Sequence, residues 1–510
     1  MSDSTTDSRP GAAPDEELDR ADREIADLSS RAYPDRDEEC DVIMKGGITS
    51  GVVYPLTICK LATKYRLRSI GGASAGAIAA AIAAAAEYRR RQGGPGADQG
   101  YRALAELPNE VSERLTGLFQ PLPTTERMFD VLFAAIDPDA TGAARVWGVV
   151  RTIVARKLAW FVAGLLATLA IAVPGLVVTT GFPFTAGDWW RLLIGLALPL
   201  VAGVVVGTVT AAVGLAFDAL RVLPTTGFGL TDGSTHGEHE GLTDWLAGRI
   251  DDVAGIADRD RCLTLGDLWG AAAVDAWATS VDAGQWGDGP TWQVRAERRI
   301  QLQVMTTNLT LRRPFRLPFT QQIFLFDESE MRKLFPDRAV DAMLVKQSDH
   351  LHPDTGAPLW WFPGVGKRVV DGTDFPGPAA LPVIVMARMS LSFPGLIGAV
   401  PLYAVDFDGD QSVVRMWFSD GGVSSNFPMH FFDAMLPTRP TFGVNLQPVH
   451  PVDPRRVERP SPTSGGTIPR AKPFDSVPEF VGSLRDTMQN WSDNKQLTQR
   501  GYADRVVEIR

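Results

Sequence analysis

Short alternating or apolar runs near the start of the chain each end in glycine before a helical pattern begins. Asp41-Val-Ile-Met44 runs through Gly46 and Gly47 toward a predicted helix over Leu56–Tyr65. Leu67-Arg-Ser-Ile70 meets Gly71-Gly72-Ala73-Ser74-Ala75-Gly76 and passes directly into the alanine-rich segment Ile78–Tyr88. Strand, tight turn and helix, repeated, predict an α/β domain. Far downstream, Met416-Trp-Phe-Ser-Asp420 is a further strand that ends in Gly421-Gly422 and an Asn426-Phe-Pro428 turn, and the chain closes on a predicted helix, Phe474–Arg500, and a strand, Arg505–Arg510. That last strand either pairs at a sheet edge or marks a truncated chain.

Two uncharged runs break this pattern, Leu158–Phe184 and Leu192–Phe217, separated by a connection that holds Asp188, Trp189, Trp190 and Arg191. Each exceeds the roughly 20 residues that cross a bilayer. An amphipathic surface helix would carry charge on one side, and these carry none. Pro174 and Gly175 weaken a helix in water but are tolerated in lipid, and Gly203-x-x-x-Gly207 lets two helices approach closely. The alternative is a pair of core helices in an enlarged soluble domain. Arg145, Arg151, Arg156 and Lys157 before the first run and Arg221 after the second predict a multi-pass hairpin with both ends cytoplasmic, Trp189 and Trp190 at the far interface, and room for a homo-oligomer through the hairpin.

Candidate chemistry lies at the glycine turns. A serine between strand and helix is pushed out over the sheet edge, while Gly72 and Gly76 let neighbouring backbone approach, so Ser74 is the candidate nucleophile. Glycines at the earlier turn free backbone N–H groups to face an anion, which makes Gly46, Gly47 and Ile48 the candidate oxyanion hole. A nucleotide-phosphate loop would need Lys-Ser/Thr after the last glycine, whereas Gly51 is followed by Val52-Val53.

With 510 residues, 45% hydrophobic and 22% charged, the chain is globular, and its net charge of -10 with no basic stripe argues against a nucleic-acid partner. Arg89-Arg90-Arg91 reads as a solvated helix end favoured by the dipole, with an anionic lipid contact as the alternative. Cys40, Cys59 and Cys262 lack metal-like spacing and point to a reducing compartment. His236-Gly-Glu-His239-Glu240 reads as loop, and His430 as ordinary polarity. Neither a metal nor an organic cofactor is expected.

Lys45-Gly46-Gly47, Gly72-Ala-Ser-Ala-Gly76 and Asp420-Gly-Gly422 with Asn426 and Pro428 behind it, in that order, resemble the patatin-like phospholipases. Val304–Leu309 and Ala387–Gly395 are similar to that family's core strand and to its A-x-x-S-x-x-x-P segment. The chain departs from the family's Gly-x-Gly-x-[Arg/Lys]-Gly loop, with Ile48 at the middle glycine and Ser50 at the basic position. The resemblance implies a three-layer sandwich around a central, mainly parallel sheet, interrupted by the transmembrane hairpin. It also implies a Ser–Asp dyad, with Ser74 as nucleophile and Asp420 as base, acting on membrane lipid esters as a phospholipase A or lysophospholipase. The alternatives are a catalytically silent membrane scaffold and a thioesterase or small-ester hydrolase. The expected division is a disordered acidic tail over 1–38, a first catalytic half over 39–150, and an insertion over 151–222 with helices at about 158–180 and 192–217. A second half over 223–448, a linker over 449–472 and a closing helix and strand over 473–510 complete it.

Overall fold

The computed structural model describes residues 14–47, 50–136, 142–180, 189–237, 239–282, 298–365, 377–406, 409–434, 436–446, 457–458, 483, 487, 493 and 501–509. They form two compact units, residues 1–120 with 233–510, and residues 121–232.

The larger unit is a mixed α/β structure on one twelve-stranded sheet. Its described strands are β1 (Glu39–Met44), β2 (Arg66–Ala73), then, numbering past the short β3 (Gly229–Thr231) of the other unit, β4 (Gln301–Asn308), β5 (Arg313–Leu317), β6 (Leu325–Phe326), β7 (Gln347–Leu351), β8 (Pro358–Trp361), β9 (Gly395–Ile397), which lies outside the twelve-stranded sheet, β10 (Val400–Val405), β11 (Val413–Asp420), β12 (Thr441–Leu446), β13 (Val457–Glu458) and β14 (Val506–Ile509). The spatial order is β13-β14-β12-β1-β2-β4-β11-β10-β6-β8-β7, with β5 paired to β4. From β14 to β4 neighbouring strands run parallel, and from β4 through β11 and β10 to β7 they run antiparallel. The site described below lies where the parallel half meets the antiparallel half.

Both faces of the parallel half are covered. Along β1, Val42 and Met44 join the main core while Ile43 between them joins a second cluster with Ala73, Met305, Phe427, Met429 and Phe431, as the two-residue period of a strand requires. Helix α3 (Ala75–Gln92) packs on β2 and against neighbouring helices, and its Ala79–Ala86 stretch is buried on all sides, which explains why the run is alanine. Of the arginines at its end, Arg89 is partly exposed, but Arg90 and Arg91 are not solvated. Arg90 is buried, bonded to Glu87 and to the carbonyls of Ala62 (2.8 Å) and Tyr65 (3.0 Å), and Arg91 reaches Glu87 (2.7 Å) and the Leu67 carbonyl (2.8 Å). They tie the helix end to the start of β2, so helix polarity alone misreads them.

The expected disordered tail is corrected from residue 14 onward. Pro14–Ser30 is a helix whose Ile25 and Leu28 are buried, and Tyr33 stacks on Tyr101 at 5.0 Å while its hydroxyl donates to the Leu28 carbonyl at 2.8 Å. A few apolar residues on one helical stripe outweigh a polar composition once a partner surface exists. At the other end, the expected last strand pairs, but inside the sheet rather than at its edge: β14 runs parallel to β12 and antiparallel to β13, which is the outer strand. Val457 and Glu458 in the expected linker are a strand; the rest of 449–472 and most of Phe474–Arg500 lie outside the described residues.

The smaller unit begins at residue 121, thirty residues before the insertion expected at 151, because two helices, Glu126–Ile136 and Gly142–Arg156, belong with it. Arg156 pairs with Asp130, and Lys157 pairs with Asp218. Its ends meet where the Leu122 N–H donates to the Leu230 carbonyl at 3.2 Å. The two apolar runs are helices, Leu158–Thr180 and Trp189–Val222, so Trp189 and Trp190 open the second helix rather than standing in a connection. Among the described residues these are the two helices long and apolar enough to cross a bilayer. They pack through the expected small residues: a Cβ on Gly207 would sit 2.7 Å from the Phe161 carbonyl, and one on Gly203 2.6 Å from Leu165. Their outer surfaces stay apolar and uncovered, with Ile171 80% and Leu198 75% exposed.

Leu28→Ala tests the N-terminal correction. Loss of this buried side chain should lower the unfolding free energy by about 2–5 kcal/mol, read by denaturant titration of the detergent-solubilised chain. An unchanged midpoint would return residues 14–38 to the status of a loose tail.

Candidate active site

Ser74 occupies the single residue between the end of β2 and the start of α3, with φ 55° and ψ −131°. A non-glycine residue in that region stores about 1–3 kcal/mol of strain, held only by surroundings that over-determine it. Those surroundings are backbone. A Cβ on Gly72 would lie 2.6 Å from the Gly76 carbonyl group, and one on Gly76 would lie 2.4 Å from the Met44 oxygen. The turn therefore crosses itself and the end of β1 at distances that only glycine permits, as expected for both positions. The Ser74 N–H donates to Ser390 Oγ at 3.1 Å.

Asp420 ends β11, opposite Thr306 of β4, while Met305 of the same strand lies opposite Ala73. One strand thus separates the two backbones, and the side chains meet over it. Ser74 Oγ donates to Asp420 Oδ2 at 2.7 Å, and the Gly422 N–H donates to Oδ1 at 2.6 Å. Asp420 is 2% exposed. Burial pushes its carboxyl up from 3.8 to about 6, against the opposing hydrogen bonds from Ser74 and Gly422. A carboxylate so placed is a better proton acceptor than one in water, and it touches the hydroxyl it would deprotonate.

The A-x-x-S segment has a visible task. Ser390 takes the Ser74 N–H, and the Ser392 carbonyl takes the Asp420 N–H at 2.9 Å and Ser419 Oγ at 2.8 Å. One short stretch holds both residues of the pair, a role that sequence reading did not assign to Ser390 or Ser392. Their position within the motif was the available signal. His430 stands edge-on to Phe431, with centroids 5.2 Å apart, and among the described hydrogen bonds it has none to Ser74 or Asp420.

The glycine loop requires a correction. Gly46 lies directly behind the serine, where a Cβ would be 2.8 Å from Ser74 Cβ and 2.1 Å from Asn426 Oδ1. Its N–H, however, donates to the Asn426 carbonyl at 2.9 Å, and Asn426 Nδ2 donates to the Gly46 carbonyl at 3.0 Å. Gly46 is thus a close-approach residue whose donor is already engaged, not an oxyanion donor. Gly47 follows it in the described loop, and Ile48 lies outside the described residues.

Cys40, Cys59 and Cys262 are buried free thiols whose ionisation burial pushes up, to about 12 for Cys59 and Cys262, so none is poised as a nucleophile. Among the described residues no cluster of three or more His, Cys, Asp or Glu side chains is arranged to hold a metal ion.

The raised carboxyl has a stability consequence. Between pH 3.8 and about 6 the folded chain retains a proton that the unfolded chain has released, so this group's contribution to stability falls as pH rises through that window and is lowest above it. Asp420→Asn should therefore stabilise the fold at pH 7 by up to roughly 3 kcal/mol, and the gain should vanish by about pH 4. Thermal unfolding of both proteins across that range measures it; a pH-independent difference would mean that Asp420 is not the buried titrating group.

No family model matches the chain. The curated RpoH suppressor of Rhizobium meliloti (strain 1021) is similar to it, 32% identical over an alignment of 542 residues that spans 92% of this chain and 77% of that protein. Among solved structures, VipD from Legionella pneumophila aligns with 80% of this chain at 15% identity and a TM-score of 0.25; the chain spans 50% of that structure, and so low a score supports no conclusion about fold. By the extent and identity of the first match, the chain belongs to the family of the Rhizobium meliloti RpoH suppressor.

Proposed function

We propose that this chain is a membrane-anchored lipid acyl hydrolase of the patatin-like type, of phospholipase A or lysophospholipase specificity, working through a Ser74–Asp420 dyad. The observation that carries the reading is the 2.7 Å hydrogen bond from a serine at φ 55° to a buried carboxylate. Support for a patatin-like three-layer arrangement comes from the two core clusters on opposite faces of the parallel half-sheet.

In the proposed reaction Ser74 Oγ attacks the ester carbonyl while Asp420 Oδ2 takes the hydroxyl proton. The tetrahedral oxyanion falls to the glycine loop beyond Gly46, where the sequence offers Gly47 and Ile48 as the candidate donors. Asp420 then returns the proton to the departing alcohol as the C–O bond breaks, leaving an acyl-serine. Water attacks the acyl carbonyl, gives its proton to Asp420, and the fatty acid leaves as Ser74 Oγ is reprotonated. Lipid as the substrate rests on the resemblance of the motifs and on the apolar hairpin, because the chemistry itself would suit any accessible ester. The arginines flanking the hairpin favour a cytoplasmic catalytic unit, with Trp189 and Trp190 toward the far interface.

A fluorophosphonate probe should label the wild type and not Ser74→Ala, and Ser74→Ala should release no fatty acid or lysolipid from native membranes. Wild-type kcat/KM should fall about tenfold per pH unit below about 6 and be flat above. An intact, folded chain that takes no label would favour the silent scaffold. Replacing Leu158–Phe217 with a short Gly/Ser linker should free the protein from carbonate-washed membranes and depress hydrolysis of vesicle phospholipid, while turnover of a soluble short-chain ester persists. Joint loss of both activities on unfolding would mark the runs as core helices.

A further inference from the structure

A carboxylate far along the chain grips the turn that follows the Asp420 strand. Asp493 Oδ1 accepts from Ser425 Oγ at 2.7 Å, and its Oδ2 accepts the N–H groups of Asn426 at 2.9 Å and Phe427 at 3.0 Å. Three donors converging on one charged acceptor make stronger and more directional bonds than neutral pairs. The gripped residue is the one that holds the glycine loop: the Asn426 carbonyl takes the Gly46 N–H, and Asn426 Nδ2 reaches the Gly46 carbonyl. Gly46 in turn backs onto Ser74 Cβ, and Gly422, whose N–H holds Asp420, lies close to Asn426 Oδ1. The residue before Gly46 is tied to the same charge. Burial lowers the Lys45 ammonium, and the Asp493 carboxylate is the foremost charge opposing that shift.

We propose that Asp493 is a positioning residue for the Ser74–Asp420 site, fixing the Ser425–Phe427 turn and, through Asn426, the backbone of the Lys45–Gly47 loop. The inference rests on the esterase reading for its kinetic consequence, but its structural half stands apart from it. Asp493 touches neither reacting oxygen in the described contacts; it acts by holding the residue that orients the loop. Displacing such a loop by an ångström is enough to cost on the order of a hundredfold in rate. A displacement of this kind should lower turnover while leaving KM nearly unchanged.

The test pairs hydrogen exchange with kinetics on the full-length chain. In Asp493→Ala the Gly46 amide, whose acceptor is the Asn426 carbonyl, should exchange at least about tenfold faster than in the wild type, while amides of the β2–α3 core keep their protection. On a soluble ester, kcat per fluorophosphonate-titratable serine should fall on the order of tenfold to a hundredfold with KM nearly unchanged. Asp493→Asn can turn its amide oxygen to the two backbone donors and its NH₂ to Ser425 Oγ, so it should restore most of the protection and part of the rate. It also carries the test should Asp493→Ala fail to fold, compared then with Ser425→Ala, which removes one bond of the three and should raise Gly46 exchange by a smaller factor. Unchanged Gly46 exchange in folded Asp493→Ala, or in Ser425→Ala where Asp493→Ala does not fold, overturns the positioning role. Faster Gly46 exchange in Asp493→Ala, found together with a wild type that neither labels nor hydrolyses esters, upholds the clamp and overturns the esterase reading instead.

Discussion

A serine hydroxyl 2.7 Å from a carboxylate that water scarcely reaches requires two chain segments to end side by side across a third. β2 delivers Ser74 running parallel to β4, and β11 delivers Asp420 running antiparallel to it, so the sheet must change direction between them. Glycine permits both terminations. Gly72 and Gly76 let the serine turn cross the end of β1, and a Cβ on Gly421 would fall 2.2 Å from the Met305 oxygen of β4. The mixed topology and the glycine spacing are two expressions of this one contact.

The surroundings of Asp420 explain why its carboxyl rises. Behind it lie Ser390, Ser392, Ser419 and Thr306, buried residues whose hydroxyls bond to backbone groups, with Ser392 Oγ also accepting from Arg388. The nearest buried cation by sequence, Arg388, donates to Ser392 Oγ at 2.5 Å and to the Gly398 carbonyl at 3.0 Å. Desolvation is thus the foremost influence on the carboxylate, opposed by the hydrogen bonds from Ser74 and Gly422. A paired arginine would steady the fold but leave a weaker base, and the two requirements pull in opposite directions at this residue.

Legibility tracked backbone constraint. Gly72, Ser74, Gly76 and the Asp420 turn could be read from sequence because their geometry admits few residue types, and the helical hairpin could be read because lipid-scale apolar runs are rare. Features built from ordinary residues could not be read in this way. Ile25, Leu28 and Tyr33 are a thin apolar stripe in an acidic segment, Arg90 looks like any helix-end arginine until Glu87 is seen beneath it, and Asp493 is one acid in a polar stretch 67 residues from Asn426. The engagement of Gly46 with Asn426 was hidden for the same reason, since it depends on a partner 380 residues away. The residues joining the hairpin to its flanks, from 121 to 157, likewise carry ion pairs that no periodicity announces.

These contacts close into a ring: Ser74 bonds Asp420, Asp420 holds Gly422, Gly422 lies against Asn426, Asn426 holds Gly46, and Gly46 lies against Ser74. A ring of this kind has no independent members. A shift of Asn426 moves Gly46 and the N–H that supports Asp420 together, so nucleophile, base and glycine loop respond as one body, and the effects of substitutions around the ring should be strongly non-additive. It also confines the strain of the serine turn. The positive φ of Ser74 persists because its neighbours on both sides are pinned by bonds that must break before it can relax, and Asp493 anchors that ring to the part of the chain between β13 and β14.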